Sequence, residues 1–113
     1  MEDTKYNATV VGKITLTPDL IILRVDTDEP RDEFEAGQYT VIGLYGYEER
    51  SQNSTEEAVP SEDDKLIQRP YSIASAKSQK KKFEFIISQV KSGQLTPRLF
   101  NLELGDRLYV SKR

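Results

Sequence analysis

The chain has 113 residues, of which 36% are hydrophobic and 31% charged, and its 16 basic and 19 acidic side chains give a formal net charge of −3. This size and composition predict a single globular domain with one core, and the negative charge disfavours a general nucleic-acid binder. The chain has no cysteine and no histidine, which excludes disulfides, cysteine nucleophiles, histidine-based triads and the usual zinc sites. We therefore expect no metal site, and we assign any demanding chemistry to a cofactor.

Membrane association is not expected. No stretch of the sequence approaches the roughly 20 apolar residues that a membrane helix needs. The amino terminus, Met1-Glu2-Asp3-Thr4, lacks the basic region and apolar run of a signal peptide. The sequence therefore predicts a cytoplasmic protein.

Three strands are predicted in the first part of the chain, at residues 9–17, 20–27 and 38–44. In the first of them, Val10, Ile14 and Leu16 are expected to share the buried face, because apolar and polar residues alternate along a half-buried strand. Pro18-Asp19 is a turn signal, so the first two strands are predicted to form a hairpin.

Residues 45–68 are predicted to form a long acidic insertion. The segment contains seven acidic residues and only two basic ones, Arg50 and Lys65. Loops longer than about 15 residues in compact domains are usually functional or disordered. Two interpretations stay open, a mobile acidic loop and a flap beside a ligand.

The remainder of the chain predicts three more strands and one helix. The strands fall at residues 71–74, 83–90 and 106–111. A helix is expected over residues 95–102, with Thr96 as its N-cap and Pro97 in its first turn. The predicted fold is all-β, a six-stranded antiparallel Greek-key barrel with one short capping helix, in which residues 1–113 form one domain.

Two short segments have the residue types of a ligand site. Gly93-Gln94-Leu95-Thr96 precedes the predicted helix, where unpaired amides favour an anion. Arg69-Pro70-Tyr71-Ser72 places an arginine fork, which suits phosphate, on the same strand face as an aromatic ring. By itself, the first segment is more typical of a plain capped helix that covers one end of the barrel, and the second is also typical of an ordinary edge strand with a surface arginine and a packed tyrosine.

Taken together and in this order, the segments resemble the FAD-binding domain of the ferredoxin–NADP+ reductase superfamily, in particular the bacterial flavodoxin/ferredoxin reductases. That family has an Arg-x-Tyr-Ser motif followed by a strand, a glycine-containing turn and a short helix. Further matches are Phe34-Glu35-Ala36-Gly37-Gln38-Tyr39, Leu95-Thr96-Pro97-Arg98-Leu99 and Gly105-Asp106. The resemblance covers the chain from about Ala8 to Val110.

The resemblance implies FAD as the cofactor. Arg69 would bind its pyrophosphate, with Pro70 stiffening the motif. Tyr71 would pack on the isoalloxazine or reach the ribityl chain, and Ser72 would hydrogen-bond near flavin N5, which makes these two the candidate catalytic residues. The pyrophosphate would also be held at the helix start by Gly93, Gln94, Leu95 and Thr96. The flavin and ribityl portion would be lined by Phe85, Ile86, Ile87 and Ser88.

The resemblance also implies partners. In the family, an α/β domain that follows the barrel presents NAD(P)H to the flavin, and ferredoxin or flavodoxin exchanges electrons with it. The sequence up to Arg113 contains no glycine-rich dinucleotide fingerprint, so the nucleotide-binding domain is expected to lie outside this chain. The basic turn of Lys77, Lys80, Lys81 and Lys82 either docks an acidic electron-transfer protein or is simply a solvated turn.

Two functions outside the reductase class stay open. One is a flavin-free Greek-key barrel that binds a protein or a nucleic acid, since one fold serves many functions. The other is a folded structural fragment that binds nothing.

Overall fold

The computed structural model describes residues 5–29, 39–57, 59–74 and 82–111. Within these ranges, six strands and one helix follow one another. They are β1 (Ala8–Thr17), β2 (Leu20–Thr27), β3 (Tyr39–Tyr45), β4 (Leu66–Ser72), β5 (Lys82–Ser88), α1 (Thr96–Phe100) and β6 (Arg107–Val110). The predicted all-β class with a single short helix is confirmed.

All six strands lie in one antiparallel sheet with the order β4-β3-β6-β1-β2-β5. The sheet is not closed, so the word barrel in the prediction slightly overstates the architecture. Its two end strands, β4 and β5, approach each other where the Ala74 N–H donates to the Glu84 carbonyl over 2.8 Å. Both end strands carry residues of the predicted site, which therefore lies where the sheet stays open.

One face of the sheet builds the core. The inward positions of β2 and β5 alternate with exposed ones, because side chains in a strand point to opposite faces. Leu99 of α1 is fully buried against the same core. The most buried side chains include Val10, Ile21, Leu23, Val25, Ile42, Leu44, Ile67, Phe85, Ile87, Leu108 and Val110.

The predicted inner face of β1 is wrong beyond its first half. Val10 is buried as expected, but Ile14 and Leu16 are 39% and 51% exposed. The register against β2 shifts between Val10 and Gly12, and a bulge of this kind turns the following side chains to the other face. A single alternating pattern therefore does not apply to the whole strand.

β4 begins at Leu66, five residues before the strand start predicted at Tyr71. The early part of the strand was not predicted because Pro70 and the polar pair Gln68-Arg69 are not typical of a strand. Proline is tolerated here because β4 is an end strand of the sheet and does not need every N–H. The insertion is correspondingly shorter than predicted.

Candidate functional site

Arg69 lies on the exposed part of β4 and reaches across to the turn before α1. Its Nη2 donates to the side-chain oxygen of Gln94 over 3.1 Å, and its Nη1 donates to the Gln68 carbonyl over 2.7 Å. Residues 69 and 94 come from the two segments that the sequence singled out. The fold therefore brings both segments to one place.

An open groove of about 470 Å³ lies along the end of β4, and its lining on this strand begins at Pro70, the residue after Arg69. Its exposed aromatic wall is Tyr39, which is 68% exposed and pairs with Ser72 across the β3–β4 ladder. Ile86 of β5, 56% exposed, lines the groove with residues that follow β4. The complete lining is Tyr39, Pro70, Tyr71, Ser72, Ile73, Ala74 and Ile86.

Tyr71 is the half-buried member of this groove and packs against the core. Burial raises the pKa of its phenol to about 12, and the nearby charge of Arg69 offsets part of that rise. The phenol is therefore protonated at neutral pH and available as a hydrogen-bond donor. Tyr71 and Arg69 occupy alternate positions of β4, so their side chains share one face of the strand.

The turn before α1 is held by its own contacts. The Gly93 N–H donates to the Val90 carbonyl over 2.8 Å, and a Cβ at Gly93 would lie only 3.1 Å from that oxygen. Within the described part of the chain, the N–H groups of Gln94 and Leu95 have no backbone acceptor. The turn therefore presents backbone donors next to the side chain of Gln94.

The predicted N-cap is wrong, because Leu95 occupies that position and makes no side-chain cap. Thr96 is the first helical residue instead. Its hydroxyl accepts from the Val90 N–H over 2.8 Å and donates to the Val90 carbonyl over 3.1 Å. The Thr96 hydroxyl therefore ties the start of α1 to Val90, which follows β5.

Three of the predicted cofactor-binding side chains lie in the core. Phe85, Ile87 and Leu95 are at most 2% exposed, so only their backbone atoms are placed to contact a ligand. Ser88 is exposed at the end of β5, opposite Leu20. Of the four predicted β5 residues, Ile86 contributes a side chain to the groove.

The acidic insertion packs against the turn through two arginines. Arg50 donates to the carbonyls of Gly93, Lys91 and Thr55 over 2.7, 3.0 and 2.6 Å. Arg98 of α1, 4% exposed, forms a bidentate pair with Glu57 over 3.1 and 3.2 Å. These contacts place the insertion against the turn of the candidate site, which favours a flap over a mobile loop.

Glu57 is the centre of this insertion network. Hydrogen bonds from Arg98, followed by those from Ser61, hold the pKa of its carboxyl at about 2, although burial opposes the shift. The carboxylate is therefore ionised throughout the neutral range.

Sequence reasoning missed the residues that build the network, Arg50, Glu57, Ser61 and Arg98, and the groove residues Tyr39, Ile73 and Ala74. Glu57 is one of seven acidic residues in the insertion, and nothing in its local pattern separates it from its neighbours. Arg98 and Tyr39 fall inside stretches that matched the family pattern, and that match was the available signal.

Some predictions lie outside the described residues. They concern Phe34–Gln38 and the part of the basic turn that contains Lys77, Lys80 and Lys81. Across the described ranges, no helix is long and apolar enough to cross a membrane.

Comparison with known proteins identifies the family. The sequence model of the family described as "Oxidoreductase FAD-binding domain" matches residues 7–111. The chain belongs to this family, and it is therefore the FAD-binding domain of an oxidoreductase.

The relatives of this chain are reductases. It is 32% identical over 92 residues to a flavodoxin/ferredoxin–NADP reductase of Buchnera aphidicola subsp. Baizongia pistaciae, covering 81% of this chain and 30% of that protein. It is 34% identical over 87 residues to the ferredoxin–NADP reductase of Azotobacter vinelandii, covering 77% of this chain and 27% of that protein. The chain thus spans less than a third of the length of these relatives.

Solved structures show the same fold. A ferredoxin NADP+ reductase from Neisseria gonorrhoeae with bound FAD and NADP superposes with a TM-score of 0.70 at 21% identity, covering 98% of this chain and 38% of that one. The ferredoxin reductase in carbazole 1,9a-dioxygenase superposes with a TM-score of 0.65 at 30% identity, covering 95% of this chain and 27% of that one.

The candidate site contains groups whose chemistry suits the two parts of FAD. FAD combines a planar ring system with a pyrophosphate, and the site combines two tyrosines with an exposed guanidinium and backbone N–H groups. The groove volume of about 470 Å³ falls within the range of small-molecule pockets. The residues present therefore fit the cofactor.

Proposed function

We propose that this chain is the FAD-holding part of an NAD(P)H-dependent reductase that exchanges electrons with ferredoxin or flavodoxin. The observation that carries the proposal is the hydrogen bond between Arg69 and Gln94, which joins the two motifs beside the groove. The names of the relatives support the choice of partners. The nucleotide-binding domain would be supplied by residues or a subunit outside this chain.

In this proposal, each part of the site has one task. Arg69 and the N–H groups of Gln94 and Leu95 in the turn before α1 bind the pyrophosphate, since a guanidinium fork and backbone donors match phosphate oxygens. Tyr71 orients the ring system by packing, and Ser72 offers a hydroxyl donor close to the reacting edge. When bound, FAD supplies the hydride and single-electron chemistry, for which these side chains have no equivalent.

The flavin-free alternatives receive no support from the fold or from the relatives. Every relative described above is a reductase. A basic docking surface at Lys77–Lys82 and the cytoplasmic location stay predictions from the sequence.

A titration of the 113-residue chain with FAD tests the proposal. We expect binding to change the flavin fluorescence, and Arg69→Ala to weaken the affinity by about 10- to 100-fold, because a charge-assisted hydrogen bond contributes about 1.5–3 kcal/mol. Arg107→Ala is the matched control, since that arginine pairs with Asp28 over 2.8 Å on an exposed part of β6. Unchanged flavin fluorescence with the protein at tens of micromolar would overturn the proposal.

A further inference from the structure

Glu57 has an unusual place for an acidic residue of a polar insertion. Its side chain is 8% exposed, and it faces Arg98, whose side chain is 4% exposed. A buried ion pair contributes little net stability compared with apolar packing, whereas the loss of one partner is costly. The position of this pair therefore requires an explanation beyond stability.

Arg98, the basic partner of Glu57, also contacts the turn before α1, which is the proposed pyrophosphate site. Nη1 of Arg98 donates to the Gln94 carbonyl over 2.7 Å, while Nε and Nη2 donate to the Glu48 and Gly46 carbonyls over 3.0 and 3.1 Å. Arg50, 3.6 Å from Glu57, donates to the Gly93 carbonyl over 2.7 Å. Both arginines thus connect Glu57 to the backbone of the turn.

A second route leads from Glu57 to Arg69 through side chains. The Ser61 hydroxyl donates to the Glu57 carboxylate over 2.6 Å, and the Gln94 amide nitrogen donates to the Ser61 hydroxyl over 3.1 Å. The amide oxygen of Gln94 in turn accepts from Arg69 over 3.1 Å. In this relay of three hydrogen bonds, every donor is directed toward the Glu57 carboxylate. This common direction fixes the orientation of the Gln94 amide, whose oxygen therefore faces Arg69.

We propose that Glu57 is a positioning residue for FAD, which holds the turn at Gly93–Gln94 through Arg98 and Arg50 and orients Arg69 through Ser61 and Gln94. The inference rests on the proposed function. It assigns to the insertion the task of ordering the pyrophosphate site before the cofactor arrives, so that less binding free energy is lost in ordering it.

The first test compares FAD affinity in Glu57→Gln and Glu56→Gln. Glu56 is the adjacent exposed residue, so the control changes the same charge at the surface. We expect Glu57→Gln to raise the FAD dissociation constant at least about tenfold, as expected when charge-assisted hydrogen bonds are lost, and Glu56→Gln to change it less than about twofold. Wild-type affinity in Glu57→Gln would overturn the inference while leaving the proposed function intact. A wild-type chain that takes up no FAD overturns both.

The second test uses Ser61→Ala, which keeps the ion pair and stays informative if Glu57→Gln fails to fold. Flavin titrations are made on Ser61→Ala, Arg69→Ala and the double variant, with the unfolding midpoint of each FAD-free protein. We expect Ser61→Ala to weaken binding about fivefold, the value of one hydrogen bond, in the wild-type background and less than about twofold when Arg69 is absent. A merely structural role predicts equal weakening in both backgrounds, and that result would overturn the relay.

Discussion

Arg69 shows how one side chain obtains a role from its surroundings. It is exposed, and its hydrogen bonds run to the Gln68 carbonyl and to the Gln94 amide oxygen. Both acceptors are neutral, so the positive charge is not neutralised by these contacts. A guanidinium that is oriented but not neutralised is suited to an incoming phosphate.

Glu57 makes the stability of the domain depend on pH. Its folded-state pKa of about 2 lies below the ordinary value of 4.5, so its contribution is fully present above about pH 4.5 and is lost as the pH falls through about 2. We expect the gap in unfolding free energy between wild type and Glu57→Gln to be widest near neutral pH and to narrow below about pH 4.5. Urea denaturation at about pH 7, 4 and 3 measures it, and a gap that stays constant would contradict the assignment.

At the scale of elements, the insertion is connected at its base and along its length. The Gly46 N–H donates to the Lys65 carbonyl over 2.9 Å, which closes the base between β3 and β4. The Ser51 N–H donates to the Pro97 carbonyl over 3.0 Å, and Lys13 donates to the Phe100 carbonyl over 2.6 Å. The short helix α1 is thus held at its start by the insertion and at its end by β1.

Two glycine substitutions test the base of the insertion. A Cβ at Gly46 would overlap the Glu62 carbonyl oxygen, whereas at Gly12 it would meet only the flexible Arg24 side chain at 3.2 Å. We expect Gly46→Ala to lower the unfolding free energy by about 1–3 kcal/mol, the usual cost of overpacking, and Gly12→Ala to lower it by less than about 0.5 kcal/mol. Urea denaturation compares the two, and equal losses would show that the base is not tightly closed.

At the scale of the whole molecule, the feature that bears most on ligand binding is that the sheet is open between its end strands, β4 and β5. The site draws residues from β4, from β5 and from the turn before α1, so a bound ligand would bridge the two ends of the sheet. Such a ligand stabilises the folded state because it binds only when the ends are in place.

FAD is therefore expected to raise the melting temperature of the chain. At a free concentration of about 100 times the dissociation constant it contributes about 2.7 kcal/mol, which corresponds to roughly 10 °C for a domain of this size. Riboflavin is the matched ligand control, since it has the ring system without the pyrophosphate and should raise the melting temperature less. Scanning fluorimetry measures the melting temperature with each ligand. An equal rise with FAD and with riboflavin would show that contacts to the pyrophosphate do not contribute to binding.

Local sequence patterns predicted the elements whose burial alternates regularly. β2 was predicted with its observed bounds, and β5, predicted over residues 83–90, is observed over Lys82–Ser88 with Phe83, Phe85 and Ile87 buried. Such patterns depend on residues two positions apart and are visible in one stretch of chain. The predicted faces failed in β1, where a bulge interrupts the alternation.

The sequence by itself determined the all-β class, the family resemblance and the two motifs at Arg69–Ser72 and Gly93–Thr96. Only the tertiary structure decided that the sheet stays open, that Thr96 bonds to Val90, and that Glu57 is connected to the turn through Arg98. The hydrogen bonds between Glu57 and Arg98 join residues 41 positions apart. Contacts of that separation arise from folding and leave no periodic signal in the chain, so the sequence could indicate the ligand site but not the residues that support it.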